Sequence, residues 1–225
     1  GRDAGEVSGT GSLGVAVTAD PKPVLARDRV LVEFTAPEAT VEHLRIAAAQ
    51  GARAVIGTTG LAASQLRELT ELARRTAILL SPNMSVGVNL AFRLLGLMAK
   101  ALGDEYDVEI TEIHHRMKKD APSGTAAKMA EVIAEALGRD LGQVGVYGRH
   151  GIVGERGSKE IGVHALRGGD VVGEHTVVFS TLGERLELTH RAHSRDTFAR
   201  GALRAIRVIA TAKPGLYSMQ DALQL

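Results

Sequence analysis

Residues 30–60 read VLVEFTAPEATVEHLRIAAAQGARAVIGTTG. The apolar run from Val30 to Thr35 ends at Ala36-Pro37 and fits a buried strand. From Pro37 to Gln50 the apolar positions Val41, Leu44, Ile46 and Ala48 fit a helix, which Gly51 closes. Ala52 to Ile56 is a second strand, stopped by Gly57-Thr58-Thr59-Gly60. The alternation continues with a helix over Ser64–Arg75, carrying Leu66, Leu69 and Leu72 on one face. A third strand follows over Thr76–Leu80 and ends at Ser81-Pro82-Asn83. Strands and helices at this spacing predict βαβ units on a parallel sheet. In such a sheet ligands bind at the carboxyl ends of the strands.

After residue 85 the pattern changes. Val86 to Leu102 is a long apolar helix and Val108 to His114 a strand. Ser123 to Leu137 is a helix with Ser123 as its N-cap and Ala126, Met129, Ile133 and Leu137 on one face. Strand-like segments follow at Val144–Tyr147, Ile161–Leu166, Val171–Ser180 and Arg185–Ala192. Their Gly-rich turns suggest hairpins and an open sheet. Thr197 to Ala212 is a last helix, stopped by Lys213-Pro214-Gly215.

Composition narrows the chemistry. Lys plus Arg number 27 and Asp plus Glu 26, a net charge of +1 that points to neither nucleic acid nor a membrane surface. Aromatics make up 3% and Trp is absent, which argues against stacking platforms for single strands. Without Cys there are no disulfides, no thiolate catalysis and no Cys-bound zinc. Apolar runs such as Val86–Ala99 are interrupted and read as too short to cross a bilayer. No apolar signal region opens the chain, so a soluble cytoplasmic protein is expected.

Gly9-Thr10-Gly11-Ser12-Leu13-Gly14 matches the dinucleotide fingerprint literally. It neither follows a strand nor opens a helix, since a strand-like Val15-Ala16-Val17 comes next, so it reads as an ordinary loop. Gly57-Thr58-Thr59-Gly60 and Ser81-Pro82-Asn83-Met84 are better placed. They end neighbouring strands with small polar residues, and together favour a ligand site over plain βα turns. The sharpest feature is Ile113-His114-His115-Arg116-Met117-Lys118-Lys119-Asp120-Ala121-Pro122-Ser123-Gly124-Thr125. Consecutive strand residues face opposite ways, so the His pair is a poor metal site, and no metal is expected. One His suits proton donation near neutrality, with the other as an anion contact. The helix start at Ser123-Gly124-Thr125 adds unpaired N–H groups. A solvated basic loop is the plain alternative. Convergence of the histidines, a lysine and the helix terminus instead suits a small dicarboxylate, whose charge would relieve the crowding of cations.

The run from Glu112 to Ala126 closely resembles the signature of the dihydrodipicolinate reductase family of diaminopimelate and lysine biosynthesis. The resemblance extends over the whole chain, through Glu33-Phe34-Thr35, Val55–Gly60, Asn83–Asn89, Val171–Thr176, Gly183–His190 and Phe198–Ala202. It implies an α/β Rossmann-like cofactor domain over residues 1–84 and 197–225. An α+β substrate-binding and oligomerisation domain with a mixed, mostly open sheet would take 85–196. It implies hydride transfer from NADH or NADPH to a cyclic dicarboxylate, with His114 as proton donor and Lys118 as a second catalytic group. His115, Gly124 and Thr125 would hold the carboxylates. Phe34, Thr35, Gly57, Thr58, Thr59, Ser81, Pro82, Asn83 and Met84 would line the cofactor site. The family's homotetramer would be built through the second sheet. The family's N-terminal strand, phosphate loop, first helix and second strand are expected to lie outside this sequence. A fragment acting only as a dicarboxylate-binding or oligomeric module is therefore the alternative. Glu33, Met84 and Met117 stand where the family commonly has Asp, Phe and a basic residue.

Overall fold

Strand β1 (Val30–Glu33) lies beside β2 (Arg53–Ile56), and β2 beside β3 (Ala77–Leu80), all parallel, with Val32 opposite Val55 and Ala54 opposite Ile78. The computed structural model describes all 225 residues. Helix α1 (Ala4–Ser8) precedes the sheet. Helices α2 (Pro37–Gln50) and α3 (Ala63–Ala73) are the crossovers, and their Val41, Leu44 and Leu69 pack with Ala54, Ile56 and Ile78. Each large aliphatic side chain buried here contributes about 1.5–3 kcal/mol.

The second sheet is built from β4 (Asp107–His114), β5 (Gly145–Val146), β6 (Ile161–Arg167), β7 (Gly173–Thr181) and β8 (Glu184–Ala192), in the order β5-β6-β4-β7-β8. Its helices are α4 (Val86–Leu102), α5 (Gly124–Ala136) and the short α6 (Leu141–Val144). Val88, Ala91, Phe92, Leu95 and Ala99 of α4 and Ala126, Met129, Ala130 and Ile133 of α5 cover Val108, Ile110, Val177 and Phe179. Helix α7 (Asp196–Ile209) follows. Strand β9 (Gly215–Tyr217) then pairs parallel with β3, and α8 (Met219–Leu223) ends the chain.

Contacts divide the chain into Gly1–Leu80 with Ile206–Tyr217, and Ser81–Ala205 with Ser218–Leu225. The turn at 81–84 joins the second unit because α4 ties it there. Asn89 Nδ2 donates to the carbonyls of Asn83 and Ser85, and Ser85 Oγ accepts from Val88 N–H. Only the end of α7 belongs to the first unit.

Several expectations need correction. The second sheet has one hairpin, β7–β8, while β5, β6 and β4 run parallel. Val15–Val17 forms no strand, and Ala16 makes only an isolated bridge to Asp3. Gly9–Gly14 is a loop that wraps Asp3, whose carboxylate accepts from Leu13, Glu6, Gly5 and Val15 N–H groups and is held at about 2. Strand β9 and helix α8 follow too short a pattern to be legible. The α4 region, Val86–Glu105, is long and apolar enough to cross a membrane by composition, contrary to the sequence reading. Its buried row on the second core accounts for that hydropathy as well.

Candidate functional site

Alternation along β4 sends Val108, Ile110 and Glu112 to the helix-covered side of the sheet. The first two are core residues; the third is a carboxylate, 0% exposed. Opposite Glu112 stands His175 of β7, and opposite His175 stands His190 of β8. One end of an otherwise apolar sheet face is therefore polar, and the start of α5 meets it there.

Four donors surround Glu112. Oε1 accepts from Ser123 N–H at 3.0 Å and Arg167 Nη2 at 3.0 Å, and Oε2 from Arg167 Nη1 at 2.9 Å. His114 Nδ1 lies 2.6 Å from Oε2. Burial works to raise the pKa of Glu112, but Arg167, His114 and the Ser123 N–H outweigh it and hold the group below the usual carboxylate range. Ser123 Oγ accepts from Ala126 N–H at 3.1 Å, which leaves its own proton for His175 Nε2 at 3.0 Å. His175 packs edge-on to His114 with ring centroids 5.1 Å apart. Burial, then the charge of His114, pushes His175 down to about 4. The Nδ1 atoms of His115, His175 and His190 are buried with no partner.

Helix α5 leaves unpaired donors one step further on. Its Ser123 N–H is taken by Glu112, and Ala126 N–H by the cap. Gly124 and Thr125 lie in the first turn, where no helical acceptor exists, and no other protein acceptor meets their N–H groups. Thr125 Oγ1 accepts from Asn83 Nδ2 at 3.1 Å, which places Asn83 beside the helix start.

His114 ends β4 and His115 lies just beyond it, its N–H donating to the Val171 carbonyl at 2.7 Å. The crowding of cations is also relieved partly from within. Lys118 Nζ meets both oxygens of Asp120 at 2.8 Å, and His114 meets Glu112. Sequence reasoning missed His175, Arg167 and the role of Glu112. Glu112 and His114, two apart on one strand, share a face, and that signal was available.

In the first unit, Phe34, Thr35, Gly57, Thr58 and Thr59 come together at the carboxyl ends of β1 and β2. The Phe34 ring, 54% exposed, lies against bare Gly57 backbone, where an added Cβ would stand 2.1 Å from Cε1. Thr35 N–H donates to Thr58 Oγ1 at 3.1 Å, and Thr58 pairs with Thr40 at 2.7 Å. Glu33 is buried beneath them against His43, 2.8 Å away. An exposed aromatic face and the N–H groups of Thr58 and Thr59, which meet no protein acceptor, fit a flat, phosphorylated cofactor. Ser81, Pro82, Asn83 and Met84 lie in the second unit. Pro82 is exposed, Ser81 Oγ donates to Asn83 O at 2.7 Å, and the Met84 side chain is fully buried, which places it in the packing.

Comparison with known proteins gives a consistent result. The family model described as dihydrodipicolinate reductase, N-terminus, matches residues 1–84, and that described as dihydrodipicolinate reductase, C-terminus, matches 87–223. The 4-hydroxy-tetrahydrodipicolinate reductase of Syntrophus aciditrophicus is 54% identical over 99% of this chain and 83% of its own length. That of Hahella chejuensis is 53% identical over 100% of this chain and 84% of its own. Among solved structures, a dipicolinate-bound dihydrodipicolinate reductase from Paenisporosarcina sp. TG-14 is 30% identical. It superposes with a TM-score of 0.70, over 85% of this chain and 72% of that one. With both halves matched and more than half the residues shared with full-length relatives, this chain belongs to the dihydrodipicolinate reductase family.

Proposed function

We propose that the chain is a pyridine-nucleotide-dependent reductase acting on the dehydrated form of 4-hydroxy-tetrahydrodipicolinate and yielding tetrahydrodipicolinate. The observation that carries this reading is the His114–Glu112 pair, set beside the free N–H groups of Gly124 and Thr125 and the ammonium of Lys118. A cyclic dicarboxylate suits these groups. The helix terminus takes one carboxylate; His115, whose Nδ1 has no partner, and Lys118, now paired with Asp120, take the other. The reduced nicotinamide, when bound, supplies a hydride to the ring double bond. His114, carrying protons on both ring nitrogens in the reacting complex, delivers the matching proton from Nε2 and keeps the one on Nδ1, so the product gains two electrons and two hydrogens. Lys118 polarises the substrate and neutralises its charge. Phe34, Thr35, Gly57, Thr58 and Thr59 hold NADH or NADPH; Ser81, Pro82 and Asn83 shape the turn that carries Asn83 to Thr125.

The side of the second sheet facing away from α4 and α5 presents Thr176, Val178 and Leu166. This face suits the homotetramer, working as a soluble cytoplasmic enzyme. The test is oxidation of NADH and of NADPH, followed by nicotinamide absorbance, with enzymatically generated substrate. Turnover with either nucleotide is the expected result. A folded protein that binds the dicarboxylate yet oxidises neither would support the binding-module alternative and overturn this reading.

A further inference from the structure

The four donors around Glu112 use every acceptor position of an ionised carboxylate. Such a group cannot donate, so the 2.6 Å contact with His114 requires the proton to sit on Nδ1 of the ring. The other nitrogen is then the reactive one. It points at Gly173, where an added Cβ would stand 2.8 Å from Nε2, so bare backbone leaves that atom its room. Arg167 fixes Glu112 from β6 and donates as well to the Asp120 carbonyl at 2.7 Å, linking the carboxylate to the segment that carries Lys118.

We infer that Glu112 is a positioning residue for the proposed reduction: it fixes the tautomer and aim of His114, and Arg167 and the Ser123 N–H hold it in place. The inference rests on the proton-donor role given to His114 above. Glu112 touches no substrate and acts only through the imidazole. A carboxylate that merely filled the core would satisfy Arg167 and Ser123 without constraining His114.

Two measurements on the full chain separate these roles. The first needs no turnover: ¹⁵N imidazole spectra of the wild type above the titration of the ring, with His114→Gln used to assign the signal. A protonated Nδ1 and a bare Nε2 are expected. A proton on Nε2 overturns the inference outright, whatever the enzyme's activity. The second uses Glu112→Gln, an isosteric change. The tautomer should become mixed, and kcat should fall roughly 10- to 100-fold while the substrate KM stays within about threefold. An unchanged tautomer with kcat within about twofold of wild type refutes the role. If Glu112→Gln does not fold, the wild-type spectrum decides alone. Absence of turnover in the wild type would count against the proposed function and leave the tautomer measurement standing.

Discussion

Replacing Arg167 by Met removes one guanidinium and little volume, and the consequence can be worked out from the geometry. Glu112 is 0% exposed and Arg167 side chain 21%, so the carboxylate has no water to turn to. It loses two charge-assisted hydrogen bonds, of 2.9 and 3.0 Å, and keeps those from His114 and Ser123. Removing one partner of a buried pair costs about 3–5 kcal/mol, and the partial exposure of Arg167 places this case near 3 kcal/mol. For a chain of this length that is a fall in Tm of roughly 6–12 °C. The pH dependence has a definite sign. The folded-state pKa of Glu112 is depressed, so its stabilisation is present above the ordinary carboxylate range and is lost as pH falls through the folded value. Arg167→Met weakens the depression. Its deficit should be full at neutral pH and shrink in acid, where the group is protonated in both proteins. Thermal unfolding by circular dichroism across that range checks this. The double variant Glu112→Gln/Arg167→Met should recover part of the loss, because no unpaired charge remains. A single variant within about 0.5 kcal/mol of wild type at neutral pH, or a deficit that ignores pH, would refute the reasoning.

Four further outcomes follow from the site. His114→Gln should lower kcat by about 10²-fold or more with little change in KM, measured by steady-state kinetics, since it removes a proton donor needed only in the transition state. Lys118→Ala should impair kcat and KM together; unchanged kinetics would take Lys118 out of the site. His175, held at about 4 by burial, takes up its proton more readily unfolded. Stability should therefore fall as pH drops from about 6.5 through about 4, by up to about 3 kcal/mol, and His175→Gln should flatten that slope in pH-dependent melts. Gly57→Ala should displace the Phe34 ring and weaken nucleotide binding several-fold in fluorescence titration while leaving dicarboxylate binding unchanged.

The sequence determined the longer elements and the family. Helices over Pro37–Gln50 and Val86–Leu102 were legible to the residue, because apolar spacing and a closing glycine are local signals. The signature around His114 and the cap at Ser123 were legible as well, since the cap acts within one turn. The tertiary structure alone decided the partners. Arg167 and His175 lie 55 and 52 residues beyond Glu112 and Ser123, and reach them only because β6 and β7 flank β4, one parallel and one antiparallel. A cluster of positive charge reads in sequence as an appeal to an outside anion. Folding shows that a buried carboxylate answers part of it first, because a charge removed from water must be paired by whatever the sheet brings within hydrogen-bond reach. Sequence spacing sets which side chains share a face of a strand. Only the order of the strands sets which faces meet.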